Sequence, residues 1–160
     1  MSEAYQEIIH GEQVLRLPPG RRHEIICSRL HAALEASVAN IASTRLLPVR
    51  SSVRLGLDHE FRPDIALITA ANNRLWLAVE VISSDDHKTD TVHKKEAYET
   101  ARVPRLWMAD PRYDNVEVYH SSEHGLVLKG ILAGRETLAE RLLPEFQIVI
   151  EDLFDTGPPP

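Results

Sequence analysis

Two apolar runs joined by a short polar segment constrain the fold more than any other part of the chain. Residues 64–68 and 75–82 are apolar on both faces, and each run carries a single acid. A strand that is apolar on both faces belongs in the interior of a sheet, with other layers packed against it. Residues 70–73, AANN, favour a turn between the two runs. The sequence therefore predicts an antiparallel hairpin in the interior of a sheet.

The segment after this hairpin predicts a parallel neighbour for its second strand. Thr89 or Asp90 can cap a helix that runs to about Arg102. Residues 105–109 then form a further strand. A strand, a helix and a strand over this length predict a right-handed crossover with parallel strands.

Patterns along the rest of the chain predict flanking hairpins and one long helix. Apolar residues recur at helical spacing from Arg21 to Ile41 and indicate one apolar stripe. The polar residues 58–61 indicate a loop, and residues 138–143 indicate a short helical turn. Further strand-like segments are residues 4–18 around His10-Gly11, 46–57, 116–120 and 125–132. With no repeat or linker, we expect one α/β (α+β) domain over residues 1–156 and a frayed, disordered tail at 157–160.

Composition excludes several classes of protein. The single cysteine allows no internal disulfide and favours a reducing, cytoplasmic compartment. The N-terminus lacks the pattern of a signal peptide, and no apolar run approaches the ~20 residues of a membrane helix. A net charge of −6 counts against broad, non-specific binding of nucleic acid, although scattered arginines could still line a local basic groove.

The register of the interior hairpin brings two acids together. If the turn is centred near Asn72, Asp64 faces Glu80 directly, with β-carbons roughly 4.5–5.5 Å apart. Two facing carboxylates repel each other unless a divalent cation lies between them, and such oxygen ligands suit Mg²⁺ or Mn²⁺. The alternatives are that Glu80 ends its strand in water or pairs with an arginine, or that a bulge separates the two acids.

Lys94 is a charged residue on the apolar side of the predicted helix. It shares one face with Asp90, Ala97 and Tyr98, and the small alanine indicates that this face packs on the sheet. An inward lysine can balance the acids, hold a water for attack and stabilise charge on a phosphate. The alternative is a purely structural ion pair with Asp90 or Glu80.

An ordered set of short motifs resembles one known family. The set is Pro63-Asp64, Val79-Glu80-Val81 with Ser83, Asp90-x-x-x-Lys94-x-x-x-Tyr98 and V-P-x-x-W-x-x-D-P. It resembles the Uma-two family of restriction endonucleases, within the PD-(D/E)XK nuclease superfamily. The similarity spans nearly the whole chain, including the leading HGEQ hairpin. It implies a restriction-endonuclease-like core, a mixed β-sheet flanked by α-helices.

The resemblance also implies a site and a reaction. Asp64, Glu80 and the main-chain carbonyl of Val81 would bind Mg²⁺ or Mn²⁺ for hydrolysis of phosphodiester bonds in DNA. Ile82 stands where the superfamily usually has its lysine, so that role falls to Lys94. Asp90 and Tyr98 would position the lysine. From the start of the long helix, His23 and Glu24 could also reach the metal from the opposite side. Cleavage of both DNA strands would favour a homodimer.

Several residues depart from the family pattern. Ser84 stands where the family usually has a proline, and Asp85 and Asp86 add negative charge beside the expected phosphate site. His10 stands where the family tends to have an acid. These departures leave an alternative function open, a non-catalytic binding or scaffold module that keeps the nuclease fold.

Overall fold

The structure is a computed structural model that describes residues 3–83 and 88–156. The strands within these described residues are β1 (Tyr5–Ile9), β2 (Glu12–Arg16), β3 (Thr44–Leu46), β4 (Val53–Leu55), β5 (His59–Phe61), β6 (Ile65–Thr69), β7 (Leu75–Val81), β8 (Arg105–Asp110), β9 (Asn115–Ser122), β10 (Gly125–Ala133), β11 (Thr137–Glu140) and β12 (Leu143–Val149). The helices are α1 (Arg21–Val38), a π-helix (Thr89–Lys94) that continues into α2 (Lys95–Thr100), and α3 (Ile150–Phe154). Within the described residues, no helix is long and apolar enough to cross a bilayer.

A mixed sheet of six strands forms the centre of the molecule, in the order β10-β9-β8-β7-β6-β3. β6 and β7 pair antiparallel, whereas β7 and β8 pair parallel, as the sequence predicted. β9 and β10 extend the sheet as an antiparallel hairpin. The predicted fold class, a mixed sheet flanked by helices, is therefore confirmed.

Two apolar layers cover the central sheet. On one face, α1, α3 and the β11–β12 hairpin bury a cluster that includes Ile26, Trp107 and Phe146. On the other face, the π-helix, α2 and a small sheet of order β2-β1-β5-β4 bury a cluster that includes Phe61 and Tyr98. This second layer brings the N-terminal hairpin against the helix that carries Lys94.

The structure corrects three sequence predictions. Residues 58–61 are not a polar loop, because β5 pairs with both β1 and β4 and its Phe61 is fully buried. The segment 138–143 belongs to the β11–β12 hairpin rather than to a helical turn, since Leu138 faces the core at strand spacing. Thr89 and Asp90 do not cap the helix but lie within the π-helix. Ser84, Asp85-Asp86 and the tail at 157–160 lie outside the described residues.

Candidate active site

Glu80 lies on β7, and Asp64 immediately precedes β6. The register of the pairs Ile65–Val79, Ala66–Ala78 and Leu67–Leu77, continued by one residue beyond the paired region, would bring Asp64 level with Glu80. The bulge in this hairpin lies at its other end, between Leu67 and Ile68. Both acids are buried, with 3% of Asp64 and 2% of Glu80 exposed. The hairpin and the residue that precedes it therefore hold two carboxylates inside the molecule.

Lys94 lies on the inner side of its helix and contacts Glu80 directly. Its Nζ is 2.6 Å from Glu80 Oε1 and 2.8 Å from Glu7 Oε2, which comes from β1. The Tyr98 hydroxyl, one helical turn further on, donates to Glu80 Oε1 at 2.6 Å. The ion pair with Glu80, an alternative that the sequence left open, is present. Its geometry is compatible with either a structural or a catalytic lysine.

Asp90 and Arg16 complete this buried charge cluster. Arg16, at the end of β2, donates to Glu7 Oε1 and to Asp90 Oδ1, both at 2.7 Å. The other Asp90 oxygen accepts the backbone N–H of Ser83 at 3.2 Å. Asp90 therefore ties the π-helix to β2 and to the end of β7, and it acts on Lys94 through Glu7 and Arg16.

The cluster contains three carboxylates and two cations. Burial raises the pKa of Glu80 to about 8; the ammonium of Lys94 opposes this shift, and the charges of Glu7 and Asp64 add to it. Burial alone would lower the pKa of Lys94, but the carboxylates of Glu80, Glu7 and Asp90 raise it above its ordinary value. A proton on Glu80 would leave two negative carboxylates opposite the two cations, Arg16 and Lys94, so that the positive and negative charges of the cluster would cancel. Burial also raises the pKa of Asp90, and a pKa of about 8 favours a proton on Glu80 near neutral pH.

Asp64 has a different set of partners, which are Arg50, the backbone of Val81 and His23 at the start of α1. Its Oδ1 accepts from Arg50 Nε at 3.1 Å, and its Oδ2 accepts the backbone N–H of Val81 at 2.8 Å. Arg50 in turn pairs with Glu24 of α1. His23 Nε2 lies 2.8 Å from the carbonyl oxygen of Val81 and 3.5 Å from Asp64 Oδ2. His23 thus contacts Asp64 directly, and Glu24 contacts it through Arg50; that either residue reaches a bound metal stays a prediction.

The pairing of Asp64 with His23 shifts both pKa values. Burial disfavours the charged carboxylate, yet the hydrogen bond and charge of His23, with Arg50 and the Val81 N–H, lower the pKa of Asp64. Burial likewise disfavours a charged imidazole, but the hydrogen bond and charge of Asp64 raise the pKa of His23. Asp64 is therefore ionised at neutral pH, unlike Glu80.

Oxygen atoms near His23 fit a hard divalent cation. The carbonyl of Val81 and one oxygen of Asp64 both lie within 3.5 Å of the single atom His23 Nε2, so they face one small volume. Together with the Glu80 carboxylate they would supply oxygen donors, which are the ligands that Mg²⁺ and Mn²⁺ prefer. The residues present are therefore chemically suited to such an ion.

Sequence reasoning missed Glu7 and Arg16 as members of the cluster and gave Arg50 no role at Asp64. Glu7 and Ile9 have their side chains on the same face of β1, and both are buried. The alternation of strand side chains puts Glu7 on the same face as the apolar Ile9, and this pattern could have predicted that Glu7 is buried. No local signal pointed to Arg16, because its partner Asp90 is 74 positions away.

A second surface of interest is a cavity that four arginines line. They are Arg45, Arg54, Arg74 and Arg102. Among the described residues, no carboxylate oxygen lies within 4 Å of a guanidinium nitrogen of Arg54, Arg74 or Arg102. The cavity includes the β6–β7 turn and the end of β6, at Ile68 and Thr69, whereas Asp64 precedes the start of that strand. The molecule therefore carries a local basic surface despite its net charge of −6.

Comparisons with known proteins agree with the resemblance drawn from the sequence. The model of the family described as "Uma2: Putative restriction endonuclease" matches residues 2–151. Among solved structures, the chain is similar to a "putative nuclease belonging to DUF820" from Anabaena variabilis, with a TM-score of 0.78 at 19% identity. The alignment covers 94% of this chain and 89% of that one, and at this identity it shows a shared fold. No curated protein matches the chain.

Proposed function

Because the chain belongs to the Uma2 family, we propose that it is a metal-dependent endonuclease that hydrolyses phosphodiester bonds in DNA. The observation that carries the proposal is the burial of Asp64 and Glu80 in one hairpin and the residue before it, with Lys94 in contact with Glu80. Burying two acids is costly even where cations partner them, whereas a site for a divalent cation requires such acids.

Each residue of the site has a proposed role. Asp64, Glu80 and the carbonyl of Val81 would hold Mg²⁺ or Mn²⁺, which would polarise the scissile phosphate and lower the pKa of a bound water. Lys94 would orient the attacking water and offset negative charge on the phosphate.

The surrounding contacts would position these groups. Tyr98 fixes one oxygen of Glu80, and Asp90 fixes the π-helix through Arg16 and the Ser83 N–H. His23 and Arg50 would do the same for Asp64. Residues around a metal site commonly orient its ligands in this way.

The arginine-lined cavity supports DNA as the substrate. Arginine forms strong, charge-assisted contacts with phosphate. The cavity lies at one end of β6, and Asp64 precedes the other end of this five-residue strand. One duplex could therefore contact the cavity while a phosphate farther along lies near Asp64. A homodimer, with one such site for each strand, remains part of the proposal.

A non-catalytic binding or scaffold module is the second candidate, and one observation favours it. Lys94 has no exposed surface, and both of its carboxylate partners are buried. A lysine in this position reaches a substrate only if the residues around it rearrange. A protein that needed the charge cluster solely for stability would show the same contacts.

A cleavage assay separates the two candidates. Purified protein is incubated with supercoiled DNA and Mg²⁺ or Mn²⁺, beside an Asp64→Asn variant and a control, Asp152→Asn, that alters an exposed acid of α3. The proposal expects cleavage by the wild type and the control and loss of cleavage in Asp64→Asn. Equal cleavage by Asp64→Asn would assign the activity to a contaminant. Calorimetry that finds no Mn²⁺ binding to the wild type would refute the metal site.

A further inference from the structure

A second group of metal-ligating side chains lies outside the acidic site. His10, His93 and Glu96 place one potential ligand atom each within 4.8 Å of one another. His10 belongs to the turn between β1 and β2, His93 to the π-helix and Glu96 to α2. We propose that these three residues form a zinc site that links the N-terminal hairpin to the helix carrying Lys94.

The donor set indicates the class of metal. Two imidazole nitrogens and one carboxylate oxygen suit Zn²⁺, whereas Mg²⁺ prefers oxygen donors alone. A tetrahedral Zn²⁺ with bonds of about 2.0–2.1 Å holds its ligand atoms roughly 3.4 Å apart. His10 Nε2 and Glu96 Oε2 are 3.9 Å apart, and both side chains are more than half exposed, so small rotations suffice. Three protein ligands leave the fourth position of the ion to water.

Local geometry presents these ligands toward one another. His93 and Glu96 are three positions apart along the helix, a spacing that puts both side chains on one face. His10 and Gly11 both have positive φ, 51° and 77°, as a two-residue hairpin turn of type I′ requires. Such turns favour Asn, Asp or Gly at the first position, so the geometry of the turn does not by itself explain a histidine there.

A third histidine, His59, orients His10 without joining the site. The rings of His10 and His59 lie edge to face with centroids 4.8 Å apart. His59 Nδ1 accepts the backbone N–H of His10 at 3.1 Å, so in the neutral ring the proton is on Nε2. A protonated ring nitrogen cannot bind a metal, and His59 therefore positions His10 rather than the ion.

The experiment is titration of the whole protein with Zn²⁺ in excess Mg²⁺, followed by calorimetry. We expect one equivalent to bind to the wild type and to Glu80→Gln, with binding lost in His93→Ala and Glu96→Gln. The matched control is His124→Ala, because His124 is an exposed histidine beside a carboxylate, Glu123, in the β9–β10 turn. Zinc binding by His93→Ala at wild-type strength would overturn the proposal. So would binding that is lost in Glu80→Gln but kept in His93→Ala.

Hydrogen exchange tests the link between the two elements. An ion held by both should slow amide exchange in the β1–β2 hairpin and in residues 89–100 together, in the wild type and not in His93→Ala. Slowed exchange in the helix alone would refute the connection to the hairpin. The zinc site does not depend on the proposed nuclease activity, since its ligands and its measurements are separate.

Discussion

Replacing Glu80 by glutamine should stabilise the protein relative to the wild type as the pH rises. Burial raises the pKa of Glu80 from 4.5 to about 8 in the folded protein. Between these values the folded state binds more protons than the unfolded state. The contribution of Glu80 to the free energy of unfolding is therefore fully present below pH 4.5 and is lost as the pH rises through about 8. Glutamine keeps an oxygen for Tyr98 and Lys94 but carries no charge at any pH.

The magnitude follows from the shift in the pKa of Glu80. A change of one pKa unit corresponds to about 1.4 kcal/mol, so the complete loss at high pH is of the order of 5 kcal/mol. Between pH 6 and pH 9 the wild type should lose roughly 3 kcal/mol that Glu80→Gln does not lose. The difference between the two proteins removes the effect of other groups that titrate in both.

Urea unfolding at several pH values, without divalent metal, measures this difference. Glu145→Gln is the control, because Glu145 is an exposed acid of β12 and should show no comparable pH-dependent difference from the wild type. A difference between wild type and Glu80→Gln that is the same at pH 6 and pH 9 would refute the reasoning. It would mean that Lys94 keeps Glu80 ionised throughout.

Four further outcomes test other contacts. Lys94→Met, which leaves Glu7 and Glu80 without their shared cation, should cost about 3–5 kcal/mol in urea unfolding, whereas Lys95→Met should change little. Mn²⁺ affinity should rise as the pH approaches 8 because Glu80 must lose its proton, and calorimetry in two buffers should detect the released proton. Arg74→Ala should weaken DNA binding. It should also lower, by about 1, the magnitude of the slope of log binding constant against log salt concentration. Burial raises the pKa of the Cys27 thiol, so a thiol reagent should modify it only after unfolding.

Patterns with a local period predicted the central part of the fold. Strand side chains alternate with period two, and the turn between β6 and β7 gives the register that the sequence predicted, with Ile65 opposite Val79. The helical period likewise predicted that Asp90, Lys94 and Tyr98 face inward, and all three are buried. Both predictions rest on periods that are set by the local backbone.

Elements that depend on distant partners were predicted less well. β5 contains the polar residues His59 and Glu60, and it is a strand because β1 and β4 pair with its two edges. The π-helix widens the turn that carries Asp90 and Lys94, and the residues that it contacts include Glu7 and Arg16 of the N-terminal hairpin. β5 has no apolar alternation of its own, and the spacing of Asp90 and Lys94 did not distinguish a π-helix from an α-helix.

The sequence by itself indicated that Asp64, Glu80 and Lys94 are charged residues among apolar neighbours, and all three are buried. Only the tertiary structure decided what surrounds them. It brings Glu7 to Lys94 across 87 positions and Arg16 to Asp90 across 74. The physical reason is that alternation and helical spacing are local properties of the backbone. Balancing buried charges, by contrast, requires partners that only the packing of separate layers brings within a few ångströms.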